Sequence, residues 1–276
     1  MRRLSQSLAR TEATGTPLPG IFPKLDAASM TPRRGQVSLV VGQPNAGKSL
    51  LALHYTVKHN LPTLYLSADT DEATVAYRAS AMLTGQKVND VEKAIMNGGG
   101  PYYEDVLDRL DNVRFCFDPS PTLDDIDLEI LAFEEVWGCA PDLVVVDNLM
   151  NVVAEHDNEF AGMREISKAL HHIARSTQSH VMVLHHTTES AGSPLDPPRR
   201  RDIQGKVSQL PELILGVALN VGAGEYKVAC LKNRSGPHNA DGDVYEVLYV
   251  DLPRMALYES YGDIMQAQAL NPAWSV

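Results

Sequence analysis

The most constraining feature of this sequence is the octapeptide Gly42-Gln43-Pro44-Asn45-Ala46-Gly47-Lys48-Ser49. It matches the phosphate-binding (Walker A) pattern G-x-x-x-x-G-K-[ST] at every fixed position. The apolar, β-branched run Val37–Val41 precedes it, which is typical of a buried parallel strand. Apolar residues at helical spacing follow it. A strand, a glycine loop and a helix in this order surround a polyanion with backbone N–H groups and a helix N-terminus.

The octapeptide therefore predicts a site for a nucleoside triphosphate and Mg²⁺. Gly42 and Gly47 stand where the backbone must turn sharply and approach the phosphates. We expect Lys48 to reach the β- and γ-phosphates and the Ser49 hydroxyl to bind Mg²⁺. Leu50 opens the following helix and completes the predicted phosphate-binding segment.

Composition and charge are those of a globular protein with a sizeable core. The chain has 276 residues, 44% of them hydrophobic and 21% charged, and a formal net charge of −11. This balance argues against a protein that coats nucleic acid with its whole surface, although a local basic channel stays compatible with it. Three scattered cysteines and the lack of an apolar run of membrane-spanning length predict a cytoplasmic protein.

Strand and helix patterns alternate along most of the chain and give way to strand patterns after about residue 212. This order predicts an α/β fold, with a mostly parallel twisted sheet flanked by helices and extended by C-terminal antiparallel strands. We predict an N-terminal arm over residues 1–30, one ATPase domain over 31–260 and a C-terminal tail over 261–276. The arm is interpreted either as flexible or as packing on a neighbouring subunit.

Two acidic residues stand at the ends of apolar strands. Asp147 closes the run Leu143–Val146, the place of a Walker B carboxylate that binds the Mg²⁺ hydration shell. Asp69 ends the strand after the first helix, where a carboxylate can accept a proton from the attacking water. The alternative for Asp69 is an N-cap of the next helix.

Several further segments resemble motifs of the RecA superfamily, and within it the DnaB-type hexameric replicative helicases and the small plasmid RepA-type helicases. Ser67-Ala68-Asp69 stands where the family has S-L-E, so the catalytic base is one methylene shorter here. The segment from Gln204 to Glu212 is similar to the family motif S-G-x-I-E-Q-D-A-D, and Gln209 lies next to its DNA-facing loop. The most specific match is to the family motif K-x-R-x-G-P, in the segment Lys232-Asn233-Arg234-Ser235-Gly236-Pro237.

The resemblance implies ATP as the nucleotide and roles for several further residues. Arg78 matches an arginine near the nucleotide base, and His186 stands where the family senses the γ-phosphate. Arg234 and Lys232 match residues that reach into the neighbouring subunit's active site, whereas the alternative for this pair is a solvated turn. If the resemblance holds, a single subunit is an incomplete enzyme.

Residues 187–206 lack any regular pattern and predict a long flexible loop. In RecA-like rings the corresponding loop faces the central channel and contacts the nucleic-acid backbone. The resemblance therefore assigns nucleic-acid binding to its basic side chains, while an ordinary solvated loop is the alternative. The side chains assigned in this way are Arg199, Arg200, Arg201 and Lys206.

These observations together predict an ATP-driven homo-oligomeric motor, a hexameric ring that translocates on single-stranded DNA as a helicase. A separate primase or loader is the expected partner, and we expect no interaction with a membrane. By the same resemblance, the short single-domain build implies a phage- or plasmid-encoded protein. Two alternatives share the fold: a recombination or repair ATPase, and a regulatory or scaffold ATPase with no DNA role. Ring or filament geometry and the response of ATP turnover to DNA would separate the three.

Overall fold

The computed structural model describes residues 15–154, 158–188 and 192–270, so the ends of the predicted arm and tail lie outside it. Within these residues the strands form one mixed sheet in the order β3-β2-β4-β5-β1-β6-β7-β8-β9. Strands β1 to β6 run parallel, and β7 to β9 continue antiparallel. The strands are β1 Val37–Gly42, β2 Thr63–Ser67, β3 Val113–Cys116, β4 Leu143–Asp147, β5 His180–His186, β6 Leu213–Asn220, β7 Glu225–Asn233, β8 Tyr245–Asp251 and β9 Ala256–Tyr258.

Helices cover both faces of this sheet. They are α1 Pro23–Ala27, α2 Lys48–His59, α3 Glu72–Thr84, α4 Val88–Ala94, α5 Gly100–Leu107, α6 Leu123–Trp137, α7 Glu159–Thr177 and α8 Tyr261–Leu270. A capping box between Thr122 and Asp125 fixes the start of α6, and Asn158 caps α7. One apolar core lies between the sheet and α2, and a second lies between the sheet, α6 and α7. The predicted fold class is confirmed.

The central strands are buried along their whole length, which explains their continuous apolar sequences. Their register brings the carboxyl ends of four parallel strands to one edge of the sheet. Gly42 of β1 pairs with His186 of β5, and Ser67 of β2 pairs with Asp147 of β4. Residues that follow these strand ends therefore meet at one place, where open α/β sheets bind their ligands.

The described part of the N-terminal arm does not extend away from the domain. Ile21, Phe22 and Leu25 are buried in the same core as α2, and Tyr55 donates a hydrogen bond to Pro19 O at 2.7 Å. Residues 15–30 thus pack on their own subunit, because three large apolar side chains within five residues favour burial. Packing of residues 1–14 on a neighbouring subunit stays a prediction.

The segment after β5 has more structure than an unpatterned loop. Thr187 and Ile203 form an isolated antiparallel bridge, and short 3₁₀ turns span Arg200–Asp202 and Gln204–Gln209. The backbone N–H of Arg200 donates to Ala240 O at 2.8 Å, which ties the segment to the β7–β8 connection. Tertiary hydrogen bonds order this segment, and they leave no periodic pattern in the sequence from which its structure could be predicted.

Candidate active site

The phosphate loop joins β1 to α2 at the carboxyl edge of the sheet. Gly47 has φ +80°, and a Cβ there would lie 2.7 Å from a ring carbon of Tyr226, whose hydroxyl donates to Gly47 O at 3.0 Å. A Cβ on Gly42 would lie 2.7 Å from the Val217 carbonyl oxygen. Close packing from β6 and β7 therefore requires glycine at both positions, and the positive φ is a second reason at Gly47.

Lys48 lies at the centre of the loop with a buried side chain. Its Nζ donates to Gly42 O at 3.1 Å and to Gln43 O at 3.0 Å. Burial lowers the lysine pKa to about 8, while nearby Asp147 and Asp69 oppose the shift. Phosphate oxygens are stronger acceptors than these carbonyls, so the ammonium is poised to exchange them for a triphosphate.

Asp147 ends β4 in a buried position beside the phosphate loop. The Tyr65 hydroxyl donates to its Oδ2 at 3.2 Å. Burial raises the pKa of Asp147, and the nearby Ser49 and Tyr65 hydroxyls partly oppose this. Ser49 and Asp147 line the same cavity, and a hydroxyl and a carboxylate are oxygen donors of the kind that Mg²⁺ prefers, so the predicted metal ligands fit the ion.

Asp69 and His186 face each other across Asn148, a residue that the sequence reading did not single out. The Asn148 amide nitrogen donates to the Asp69 carboxylate and lies 3.4 Å from His186 Nε2. Its amide oxygen accepts from Met150 N at 2.9 Å, which fixes the orientation of the amide. The only sequence signal for Asn148 was its place directly after Asp147.

His186 also approaches the phosphate loop. Its Nδ1 lies 3.3 Å from Lys48 Nζ. Burial and the Lys48 charge lower the pKa of His186, with Asp69 opposing, so the ring is neutral near pH 7. A neutral imidazole at this place can accept one hydrogen bond and donate another, as a phosphate sensor requires.

Most of the predicted nucleotide residues line one cavity of about 420 Å³. Leu219, Leu252 and Met255 add an apolar wall that the sequence reading missed, because they come from β6 and from the β8–β9 connection, which are distant in the chain. Gln43 instead donates to Gly192 O at 3.0 Å, toward the loop after β5. The predicted residues that line the cavity are Pro44, Asn45, Gly47, Lys48, Ser49, Leu50, Asp69, Arg78, Asp147 and His186.

Arg234 lies elsewhere, directly after β7. Leu213 pairs with Ser38 of β1 and with Asn233 of β7, so Arg234 is level with the amino end of β1. The phosphate loop follows the carboxyl end of that strand. Five residue steps separate Val37 from Gly42, a distance of roughly 16 Å along a strand. The Arg234 side chain is 48% exposed and forms an ion pair with Glu212 at 3.2 Å.

Lys232 does not have the orientation predicted for it. Its side chain is turned into its own subunit, where Nζ donates to Ser208 O at 3.0 Å and to Gln209 O at 2.7 Å. Burial, with Arg234 and Arg200 nearby, lowers its pKa to about 8. The two basic residues of the K-x-R-x-G-P segment thus differ: Arg234 faces outward and Lys232 is buried.

The basic residues after β5 are only partly free to meet a ligand. Arg199 is exposed, and the Arg201 side chain is 69% exposed. Arg200 is half-buried and donates to Ser208 O at 3.3 Å. The side chain of Lys206 is outside the described part of the chain.

The chain is similar to known proteins in sequence and in fold. The family described as "AAA domain" matches residues 30–192, which is more than half of the chain. The chain belongs to this family. The Gene 65 protein of Mycobacterium phage L5 is 34% identical over 95% of this chain and 96% of its own length. The Gene 65 protein of Mycobacterium phage D29 is 32% identical over 83% of this chain and 97% of its own length. The expectation of a phage-encoded protein is thereby confirmed.

More distant relatives include DnaB-like helicases. "Replicative DNA helicase DnaB" of Leifsonia xyli is 22% identical over 87% of this chain and 56% of its own length. Among solved structures, one described as an "ATPase Domain" has a TM-score of 0.77 at 14% identity, covering 93% of this chain and 96% of that one. A DnaB-like replicative helicase has a TM-score of 0.76 at 14% identity over 92% of this chain and 66% of that one. The RadB recombinase has a TM-score of 0.57 at 16% identity over 86% and 97%.

These likenesses confirm the resemblance to RecA-superfamily, DnaB-like ATPases. Family and fold together support a helicase-like ATPase. Among the described helices, none has both the length and the apolar character that crossing a membrane requires.

Proposed function

We propose that this chain is an ATP-driven DNA motor whose subunits assemble into a ring, hydrolyse ATP between neighbours and translocate on single-stranded DNA as a helicase. The observation that carries the proposal is the separation of two groups of residues. The residues proposed to bind phosphate and to act as the catalytic base line one cavity at the carboxyl end of β1. The exposed Arg234 lies at the amino end of that strand.

Within one subunit, the described residues account for binding and water activation. Lys48 and the loop backbone hold the phosphates, and Arg78 with the apolar wall holds the rest of the nucleotide. Ser49 and Asp147 would hold Mg²⁺, which would supply positive charge to offset that of the phosphates. Asp69 takes the proton of the attacking water, and Asn148 holds its carboxylate in place.

Charge that develops on the γ-phosphate calls for a further cation. The roughly 16 Å between the two ends of β1 exceeds the reach of an arginine side chain, so Arg234 does not serve its own phosphate loop. It can serve the loop of an adjacent copy. A guanidinium suits this role because it stays charged and can bind two oxygens at once. This arrangement makes oligomerisation a condition for turnover.

The loop after β5 supplies the proposed contact with DNA. Exposed Arg199 and Arg201 offer positive charge to a phosphate backbone, independent of sequence. His185, next to the sensor position, hydrogen-bonds through Nε2 to Gln204 O at 2.9 Å. A movement of the carboxyl end of β5 would therefore also move the backbone at Gln204, which follows the basic loop.

ATP turnover measured with and without single-stranded DNA tests this function. We expect DNA to stimulate the wild type, and we expect Arg234→Ala to lose about a thousandfold in kcat while still binding ATP. Turnover that ignores DNA in the wild type would favour a regulatory or scaffold ATPase. DNA-stimulated turnover in filaments rather than rings, seen by electron microscopy, would favour a recombination ATPase.

A further inference from the structure

The Arg234 guanidinium forms an ion pair with a buried carboxylate that also binds the backbone of β1. Glu212 is 8% exposed, and its Oε1 accepts from Arg234 Nη1 at 3.2 Å. Its other oxygen, Oε2, accepts the Val37 backbone N–H at 3.1 Å. The carboxylate therefore joins an outward-facing cation to the first residue of the central strand.

Backbone carbonyls hold a second side of the same guanidinium. Arg234 Nη2 donates to Gln209 O at 3.3 Å and to Leu210 O at 3.0 Å. The Gln209 carbonyl also accepts from the buried Lys232 ammonium at 2.7 Å. Lys232 thus binds one of the two backbone carbonyls that Arg234 uses.

These contacts occupy only part of the guanidinium. Three of its five N–H groups donate to Glu212, Gln209 and Leu210, and the described residues provide no acceptor for the other two. The side chain is held on one edge and half exposed. An arginine held in this way keeps its charge and its two remaining N–H donors, on Nε and on Nη1, in a fixed orientation toward an anion.

We propose that Glu212 is a positioning residue for Arg234, with Lys232 as its second support, and that together they aim the guanidinium at the terminal phosphate of a nucleoside triphosphate on a neighbouring copy. This inference rests on the proposed function. Neither Glu212 nor Lys232 touches the nucleotide. Preorganisation of a charged donor is the means by which such residues lower a barrier, because no reorganisation is needed as charge develops.

A purely structural Glu212 is the competing explanation. Its bond to Val37 N joins β1 to the start of β6, and His171 Nε2 lies 3.7 Å from the same oxygen. Loss of such contacts would lower the melting temperature and affect every activity alike. The two explanations differ in whether the effect of Glu212 depends on Arg234.

A double-mutant cycle on kcat separates them, using the full-length protein with ATP and single-stranded DNA. We expect Glu212→Gln to lower kcat at least tenfold with little change in ATP affinity. In the Arg234→Ala background the same substitution should have no further effect, since its only route to the phosphate is already gone. Lys232→Met, which removes the ammonium but keeps the volume, should behave in the same way and serves if Glu212→Gln folds poorly.

Asp142→Asn is the matched control, because Asp142 forms a comparable ion pair with Arg34 at 2.6 Å at the amino end of β4. It should leave kcat unchanged. Wild-type kcat in both Glu212→Gln and Lys232→Met, with Arg234→Ala inactive, would overturn the positioning role and leave the proposed function standing. Equal losses from Glu212→Gln in both backgrounds would also overturn it. Wild-type turnover in Arg234→Ala would instead reject the proposed function.

Discussion

The two ends of strand β1 hold their basic residues in opposite ways. At the carboxyl end, Lys48 is buried in a cavity with Asp147, Asp69 and His186 around it. At the amino end, Arg234 is 48% exposed and faces away from the core. The first end resembles a binding site, whereas the second is an exposed donor far from the cavity of its own subunit. This contrast is the basis of our proposal that the active site is divided between copies of the chain.

Arg78 is the main rival to this view, because it lines the cavity within the same subunit. If Arg78 supplied the positive charge needed in the transition state, no arginine from a neighbouring subunit would be required.

Lys48→Ala should nearly abolish the cavity's function. We expect hydrolysis to fall about a thousandfold, and the rise in melting temperature caused by ATP to disappear, because the main phosphate contact is lost. Thermal unfolding with and without ATP measures the second effect. Lys93→Ala, at an exposed position on α4 outside the cavity, is the control and should keep both. An ATP-induced shift of wild-type size in Lys48→Ala would contradict the site.

Asp69→Asn should reduce kcat about a hundredfold or more and leave ATP binding intact, as expected for loss of a general base. Asp71→Ala is a sharp control. Asp71, rather than Asp69, caps α3 by accepting from Thr74 N at 2.9 Å, so it should affect stability and not kcat. The reverse pattern, with Asp71 essential and Asp69 dispensable, would show that the base is misassigned.

Arg78→Ala should weaken ATP binding by roughly tenfold and change kcat far less than Arg234→Ala does. The reason is that Arg78 contacts the bound nucleotide in both ground and transition states, whereas Arg234 acts where charge develops. Steady-state kinetics with separate determination of ATP affinity gives both numbers. A kcat defect in Arg78→Ala as deep as that of Arg234→Ala would move the cation into the same subunit.

Arg199→Ala with Arg201→Ala should weaken single-stranded DNA binding and reduce the slope of log K against log salt by about 1.4, which is 0.7 for each lost phosphate contact. Fluorescence anisotropy over a salt series measures the slope. Lys93→Ala with Arg109→Ala removes the same charge from exposed positions and should leave it unchanged. Equal slopes in the two double variants would mean that the loop after β5 does not meet DNA.

ATP binding should weaken gradually as the pH rises above about 8. Burial lowers the pKa of Lys48 to about 8, so the free protein loses this charge above that pH and must take up a proton when the triphosphate binds. The affinity should fall by at most tenfold per pH unit. Calorimetry in buffers of different ionisation enthalpy detects the proton, and its absence at pH 9 would contradict the link.

The sequence predicted the strand-end geometry well because local signals carry it. The phosphate-loop octapeptide, the continuous apolar strands and Asp147 at a strand end can each be recognised from a few neighbouring residues. They lie close together in space because the carboxyl ends of parallel strands share one edge of the sheet. Asn148 and the apolar wall of Leu219, Leu252 and Met255 were missed, since their roles depend on contacts between distant segments.

The direction of a side chain was the hardest feature to predict. Lys232 and Arg234 stand two residues apart in one motif, yet one is buried and the other exposed. Both side chains donate to the Gln209 carbonyl, but Lys232 also reaches the Ser208 carbonyl, and no sequence pattern marks either carbonyl as an acceptor. Residues 15–30 were predicted to be part of an arm because of their proline and glycine content, although three of their side chains are buried in the core.

Mixing two inactive variants tests the divided site most directly. A Lys48→Ala subunit retains Arg234, and an Arg234→Ala subunit retains the cavity, so mixed assemblies contain interfaces with one intact half from each. We predict that the mixture, after subunit exchange, hydrolyses ATP well above the sum of the two variants alone. Turnover no greater than that sum, in assemblies shown to contain both subunits, would contradict the claim that Arg234 acts on a neighbour.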